Sequence, residues 1–377
     1  MTLTRGARIT GAALCALLAL IVGAWIVRDL STADEPLDLW RFWTGGVRGP
    51  DAAPLTTTVT DLALLAVYAG AAVAALRSAA AVAAAALTAV AVITLALRLP
   101  SLWVLTASWM DLQATDSLRT RALYSTFAVL GLAAALIVAV LAGRRPPGAE
   151  AYEDAHSPRA DPGAARRLTP TRPARGASVL AFLLLFAAAG VTVAWQIRWA
   201  YLSGAAGYAD LLTGSERAPL KLLQTPSAWL ACATALLALT AAVGALNQAV
   251  FTRPFGAVVA AVLIADGAVG LDFTVRRELF RGFGELRMEE QLLVATWLFE
   301  LVAGAVLLVV SARRGESGPA DGVPGGYGAA GGTPRPGYGC PQAGYSGYGH
   351  PQPPGPPDGQ GGGHGPPPPP SSPPPGW

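Results

Sequence analysis

Residues 24–28 read Ala24-Trp25-Ile26-Val27-Arg28, and residues 194–198 read Ala194-Trp195-Gln196-Ile197-Arg198. A second motif follows in each place: Thr44-Gly45-Gly46-Val47-Arg48-Gly49-Pro50 and Thr213-Gly214-Ser215-Glu216-Arg217-Ala218-Pro219. The first motifs are offset by 170 residues and the second by 169. Two motifs kept at nearly one spacing predict that a single unit has been copied in tandem.

The ends of the two copies also correspond at the 169-residue offset. It aligns residues 130–145 with residues 299–314, and both segments end in two arginines, Arg144-Arg145 and Arg313-Arg314. Each copy therefore begins with an apolar run that ends in Trp and Arg, and it finishes with an apolar run followed by a pair of arginines.

The composition is that of a membrane protein. Of the 377 residues, 53% are hydrophobic and only 14% are charged, which exceeds what a soluble core of this size buries. Arginine is abundant, Lys221 is the single lysine and alanine fills the apolar runs, a bias that indicates a GC-rich bacterial genome. The net charge of +3 is spread along the chain, so nucleic acid is not an expected partner.

Eight apolar runs of about 20 residues are long enough to cross the roughly 30 Å hydrocarbon core as helices. They are residues 9–27, 55–76, 78–97, 122–143, 176–197, a run within 222–252, 254–273 and 291–312. The first run resembles a signal peptide with Ser31-Thr32-Ala33 as its cleavage site. A retained anchor is preferred because the second copy has an equivalent first helix.

The predicted fold is an all-α polytopic membrane protein. Its eight transmembrane helices form two tandem four-helix repeats, residues 1–145 and 176–314, and an even number of spans per repeat predicts that the repeats are parallel. A basic Pro/Arg-rich linker, residues 146–175, joins them. The Gly/Pro/Tyr-rich tail, residues 315–377, has too little apolar surface to fold and is predicted to be disordered.

The arginines favour one orientation. Seven of them lie in residues 144–175 and two precede the first span, and positively charged loops stay in the cytoplasm. We therefore expect a multi-pass protein of the cell (inner or plasma) membrane with both termini in the cytoplasm.

Three acids within the spans are the sharpest functional signal, because a charge at the bilayer centre costs at least about 2.5 to 3.5 kcal/mol. They are Asp266, Glu300 and Asp61. Counted from Asp272 and Glu290, Asp266 lies about 9 Å and Glu300 about 15 Å from the same side of the membrane. Asp61 lies closer to the edge. Consecutive spans are expected to be neighbours, so Asp266 and Glu300 are expected to meet.

Two carboxylates in a medium of low dielectric constant cannot both stay ionised cheaply. The pair Asp266 and Glu300 is therefore a candidate proton or small-solute site. In the alignment of the two copies, Asp266 is aligned with Leu97 and Glu300 with Gly131, so the acids occur in one copy only. The alternative is that each acid binds a hydroxyl or an arginine such as Arg98 and fixes helix packing.

Four arginines are candidate outer-loop contacts for an anion: Arg48, Arg217, Arg28 and Arg198. Arg48 and Arg217 occupy the same place in the Thr-Gly motif, where a glycine turn presents an arginine. The alternatives are that the turn only closes the loop, and that Arg28 and Arg198, next to Trp25 and Trp195, anchor the spans at the interface.

Two loops outside the spans also carry predictions. Residues 99–121 are apolar but too short to cross the membrane, so they are expected either to lie along the interface or to re-enter the membrane slightly. Residues 274–290 carry many charges and are expected to form an amphipathic loop helix.

No catalytic, nucleotide-binding or metal-binding motif occurs in the chain, so we expect neither an enzyme nor a cofactor nor a metal. Two functional hypotheses follow. The first is a transporter-like protein with its polar site at Asp266 and Glu300. The second is a membrane scaffold or assembly factor whose tail binds a protein partner. In both hypotheses the protein lies in a lipid bilayer.

Overall fold

The structure of the protein, a computed structural model, describes residues 2–46, 53–145, 175–218 and 220–312. Its helices are α1 (Arg5–Thr32), α2 (Pro36–Trp43), α3 (Val59–Arg77), α4 (Ala80–Arg98), α5 (Ser101–Val104), α6 (Asp116–Ala142), α7 (Arg175–Thr213), α8 (Ser227–Leu246), α9 (Thr252–Arg276) and α10 (Met288–Ala312). Short 3-10 helices cover Ser108–Leu112 and Phe283–Glu285. The two-residue strands β1 (Thr2–Leu3) and β2 (Arg144–Arg145) pair antiparallel.

Eight helices in the described part of the chain are long and apolar enough to cross a membrane, namely α1, α3, α4, α6, α7, α8, α9 and α10. A helix satisfies its own backbone hydrogen bonds, which the hydrocarbon interior requires. The eight predicted spans are thereby confirmed. The chain is a multi-pass integral membrane protein.

Successive spans run in opposite directions, so the connections divide between two faces. The terminal face carries the start of α1, strands β1 and β2, the α3–α4 and α8–α9 turns and the end of α10. The loop face carries residues 33–58, 99–115 and 277–287 and the end of α7.

The spans form one four-helix bundle in each half. In both halves each span contacts the next one, and the fourth contacts the first. Between the halves, α9 contacts α3 and α4, and α8 contacts α4. If α3 corresponds to α8 and α4 to α9, these are the contacts that a two-fold axis between α4 and α9 would produce. The tandem duplication itself stays a prediction.

The repeated motifs make the same local contacts in both halves. Trp25 Nε1 donates to Ser125 Oγ at 3.1 Å, and Trp195 Nε1 donates to Thr296 Oγ1 at 3.0 Å, so each tryptophan ties a first span to a fourth. In the Thr-Gly motif, Gly45 and Gly214 have φ angles of 87° and 80°. Glycine adopts this left-handed conformation without strain and ends the preceding helix there.

The fourth spans correspond at a different offset from the predicted one. The two tryptophan bonds equate Ser125 with Thr296, an offset of 171 residues. The same offset aligns the buried Leu136 with the buried Leu307. Glu300 therefore corresponds to Val129 and not to Gly131. The sequence alignment was wrong by two residues because side-chain identity fixes the register poorly in runs of Ala, Leu and Val.

Both loop predictions need revision. Residues 99–121 form the short α5, a 3-10 helix and the first turns of α6, and α5 packs in an apolar cluster with residues 220–223. Residues 274–290 do not form a helix of their own. They are divided between the end of α9, turns, a 3-10 helix and the start of α10, and Glu278 has a φ angle of 53°, outside the helical range. In addition, α7 is broken at Gly204, and its last residues lie on the loop face.

Candidate functional site

Asp61 forms a buried ion pair with Arg98. It lies in the first turn of α3, is 2% exposed, and accepts a hydrogen bond from the backbone N–H of Thr58 at 2.7 Å. Arg98, at the end of α4, also donates to the carbonyl oxygen of Leu223 at 3.0 Å. The ion pair therefore joins α3, α4 and the loop before α8, which is the packing role that the sequence left open.

Asp29 is a second buried acid, which sequence reasoning missed. It is 0% exposed, and its Oδ2 accepts backbone N–H bonds from Thr56 at 2.8 Å and Thr57 at 2.7 Å. The guanidinium of Arg28 donates to its Oδ1 at 2.7 Å. Asp29 thus holds the loop that leads into α3. In the sequence it follows an apolar run and an arginine, which is also where a surface acid would stand.

Asp266 lies on the buried face of α9. Val259, Val262 and Leu263, seven, four and three residues before it, are 1%, 3% and 2% exposed, and Gly270, four residues after it, is buried. Residues at these spacings share one face of a helix. The side chain of Asp266 is itself half-buried.

Glu300 lies on the corresponding face of α10. Ala303 and Leu307, three and seven residues after it, are both 1% exposed, and Gly304 is buried. Thr296, four residues before it, accepts the hydrogen bond from Trp195 of α7. Glu300 is half-buried and therefore also belongs to the interior side of its helix.

Glycines bring the two acids to the same depth. A methyl group added at Gly267 would lie only 2.7 Å from the backbone N of Leu301 and 2.8 Å from the carbonyl oxygen of Trp297. The backbones of α9 and α10 are therefore in contact at this level. Asp266 precedes Gly267 and Glu300 precedes Leu301, so the predicted difference in depth is not present.

Neither carboxyl group has a hydrogen-bond donor or an ion-pair partner among the described residues, unlike Asp29 and Asp61. The latter two acids show how this protein stabilises a structural carboxylate, with N–H groups, hydroxyls and a guanidinium. Asp266 and Glu300 have none of these among the described residues, and they lie at the same level on neighbouring helices.

Two indole rings cover the acid pair on its loop-face side. The ring of Trp297, one turn from Glu300, lies directly on Gly270, where it leaves no room for a side chain. Trp297 also packs edge-to-face on Phe273, with ring centroids 5.9 Å apart. Trp195 donates to Thr296, the residue before Trp297. Both indole rings therefore lie on the loop-face side of the acid pair.

The three candidate anion-binding arginines that the structure describes each have a different acidic partner. Arg28 Nη1 binds Asp29 and donates to the carbonyl oxygen of Pro54 at 2.7 Å. Arg198 forms an ion pair with Glu289 at 2.5 Å. Arg217 is 85% exposed and lies 3.8 Å from Asp210. Arg48 lies outside the described residues, so the paired arrangement of Arg48 and Arg217 stays a prediction.

On the loop face the two halves hold each other through reciprocal contacts. Trp40 of α2 donates from Nε1 to Asp272 at the end of α9, at 3.0 Å. Trp103 of α5 donates from Nε1 to the carbonyl oxygen of Thr213 at the end of α7, also at 3.0 Å. A loop-face segment of each half is thereby bound to the other half.

Lys221 strengthens this connection. Its Nζ donates to the carbonyl oxygen of Phe42 at 2.6 Å and lies 4.0 Å from the centre of the Phe42 ring. Burial lowers the pKa of Lys221 from 10.5 to about 8, because the charged form is poorly solvated there.

Comparison of the chain with known protein families, curated proteins and solved structures finds no match. The function therefore has to be inferred from the geometry of the chain itself. Most of the linker and the whole tail, within residues 146–174 and 313–377, lie outside the described residues. A protein partner of the tail stays a prediction.

Proposed function

We propose that the protein is a transporter-like membrane protein in which Asp266 and Glu300 form a proton-binding site inside the second bundle. The observation that supports this proposal is that two half-buried acids, without a donor or counter-ion among the described residues, lie at the same level on two helices whose backbones are in contact. A neutral solute or a cation could move with the proton, and its identity is left open.

The chemistry follows from the charges. Each ionised acid within a span costs at least about 2.5 to 3.5 kcal/mol, and two ionised carboxylates side by side also repel each other. A proton taken up by the pair removes one charge and allows the neutral carboxyl to donate to the ionised one. Such a pair binds and releases a proton as its surroundings change, which is the step that couples a proton to transport.

The first bundle supports a specialised role for the acids. Leu97, 0% exposed, and Val129, 3% exposed, stand at the positions that correspond to Asp266 and Glu300. A bundle with this helix arrangement therefore packs with apolar side chains at these places. Polar groups that the packing does not require are expected to serve a function.

We also propose that the terminal face lies in the cytoplasm of a bacterial cell and that the protein resides in its inner membrane. The seven arginines of residues 144–175 and the two in the first turns of α1, Arg5 and Arg8, support this orientation. A fluorescent reporter fused after the tail should fold and fluoresce in the cytoplasm. An export-dependent reporter active at the same position would overturn the proposed orientation.

The test of the proton site is labelling with a hydrophobic carbodiimide in lipid nanodiscs. The reagent takes up the proton of a neutral carboxyl at its nitrogen, and the carboxylate oxygen then bonds to its central carbon. Mass spectrometry of the digested protein locates the adduct. We expect labelling of Asp266 or Glu300 near neutral pH, decreasing as the pH rises, and little labelling of Asp29 and Asp61.

Three variants complete the test. Asp266→Asn removes the repelling neighbour, so the labelling of Glu300 near neutral pH should fall severalfold, and Glu300→Gln should have the reciprocal effect on Asp266. Glu290→Gln, at the start of the same helix α10, should change neither. Absence of adducts at Asp266 and Glu300, or equal labelling of Asp61, would refute a shared proton.

A further inference from the structure

The second bundle contains a small cavity on its terminal-face side. The cavity measures about 20 Å³ and lies between α7, α9 and α10. That volume is enough for about one water molecule. Its polar wall consists of Ser178, Thr252, Arg253 and Ser311, and Leu185 and Leu307 form part of its apolar wall.

Two buried hydroxyl groups make this cavity a site for water. Ser178 and Thr252 are each 5% exposed, and their Oγ atoms have no hydrogen-bond partner among the described residues. A buried hydroxyl without a partner costs about 1 to 3 kcal/mol, which a bound water recovers. The guanidinium of Arg253 lines the same cavity and adds N–H donors.

The cavity lies on the same helix face as the acid pair. Leu307 is seven residues from Glu300 on the buried face of α10, which is about 10 Å along the helix. In the opposite direction, Trp297 and Trp195 cover the pair toward the loop face. This cavity therefore lies on the terminal-face side of the acid pair, opposite the two indole rings.

The first bundle has a leucine where the second has the cavity. Leu87 of α4 is 0% exposed and packs directly on Gly11 of α1. At the offsets of these helices, the corresponding residues are Gly256 and Ala181, and both line the cavity. A methyl group added at Gly256 would meet only Ser311 Oγ, at 3.7 Å. The exchange of a leucine for a glycine at this position accounts for the space.

We propose that this cavity is the hydrated route by which protons reach Asp266 and Glu300 from the terminal face. The proposal deepens the proposed function and rests on it. Gly256 keeps the cavity open, and the side chains of Leu185 and Leu307, which line it, must move for water to pass from the cavity to the acid pair.

The test uses single cysteines in a protein whose Cys15, Cys232 and Cys340 are replaced by alanine. Ser178→Cys and Thr252→Cys are exposed to silver ions, which bind thiolates and are close to a water molecule in size, in chloride-free buffer and in sealed vesicles of either orientation, and unreacted thiols are counted after denaturation. Ala83→Cys is the matched control, because Ala83 corresponds to Thr252 and is 0% exposed. We expect Ser178→Cys and Thr252→Cys to react from the terminal face at least tenfold faster than Ala83→Cys.

A second variant tests whether the space matters. Gly256→Leu, which copies the arrangement of the first bundle, should slow both reactions at least tenfold. Gly190→Leu, at a position of α7 without neighbours within 4 Å, should not. Three results would overturn the proposed route. They are reaction of Ala83→Cys at the same rate, reaction only from the loop face, and no effect of Gly256→Leu.

The two proposals fail separately. If the cysteines stay unreactive while carbodiimide labels Asp266 or Glu300, the acid pair binds a proton and the route is wrong. If the cysteines react and carbodiimide labels neither acid, the cavity is hydrated and the proton-binding function is wrong.

Discussion

Gly267→Ala tests the close contact that brings Asp266 and Glu300 together. The added methyl group would lie 2.7 Å from the backbone N of Leu301 and 2.8 Å from the carbonyl oxygen of Trp297. Both neighbours are backbone atoms, so no side-chain rotation relieves the contact. Ordinary contact begins at 3.4 Å, so α9 and α10 must separate locally by about 0.7 Å.

The expected cost follows from two opposing effects. Overpacking of this kind costs about 1 to 3 kcal/mol, and replacing a helical glycine by alanine recovers up to about 1 kcal/mol. We expect a net decrease of about 1 to 2 kcal/mol in the free energy of unfolding. The wider separation should also weaken the interaction between the two carboxyl groups and lower the carbodiimide labelling of Glu300.

The assay is reversible unfolding in mixed micelles of increasing sodium dodecyl sulfate content, followed by tryptophan fluorescence. Gly131→Ala is the control, because Gly131 lies in the α6 span and has no neighbour within 4 Å. That variant should be as stable as the parent or up to about 1 kcal/mol more stable. If Gly267→Ala matched the control, the close backbone contact would be wrong.

Three further predictions concern the acids and the lysine outside the proposed site. Arg98→Met leaves Asp61 as an unpaired buried carboxylate and should lower the free energy of unfolding by about 3 to 5 kcal/mol in the same assay. Adding Asp61→Leu should recover most of that loss, and no recovery would contradict a direct ion pair. Asp29→Asn weakens the charge-assisted bonds of the loop before α3 and should cost about 1.5 to 3 kcal/mol, and an unchanged midpoint would argue against that role. Acylation of Lys221, followed by mass spectrometry, should reach half its maximal rate near pH 8, and a midpoint near 10.5 would refute the burial. Because the pKa in the unfolded chain is 10.5, the unfolding free energy relative to Lys221→Met should rise with pH between about 8 and 10.5.

The spans could be predicted from the sequence because their signal is local. A run of about 20 apolar residues has few alternatives to a membrane helix, and each of the eight runs contains or overlaps an observed helix. Asp266 and Glu300 could be singled out for the same reason, since an acid within such a run is costly wherever the helix packs.

The partners of the acids could not be predicted, because they depend on which helix faces meet. Asp61 binds Arg98 across 37 residues, and Asp29 binds the loop before α3 across 27. Partners so far apart along the chain produce no short sequence motif from which they could be predicted. The sequence alignment of α6 with α10 differs by two residues from the offset that the tryptophan bonds give, for a related reason. Similar small and aliphatic side chains on every face of these helices allow several registers.

The cavity at Gly256 could not be predicted from the sequence either. Small residues occur throughout this chain, so one glycine among them carries no signal. Gly256 becomes informative only when it is compared with Leu87, which fills the corresponding position in the first bundle. The comparison of the two halves is therefore more informative than either half alone.

The central claim is that Asp266 and Glu300 bind a proton that is exchanged with water. Membranes containing the reconstituted protein can be adsorbed on a solid-supported electrode and given a rapid pH jump without any solute. Proton binding inside the membrane displaces charge and should give a transient current that grows with the pH step. The current should be lost in Asp266→Asn and Glu300→Gln and kept in Glu290→Gln. A transient current of the same size in all four proteins would contradict the account.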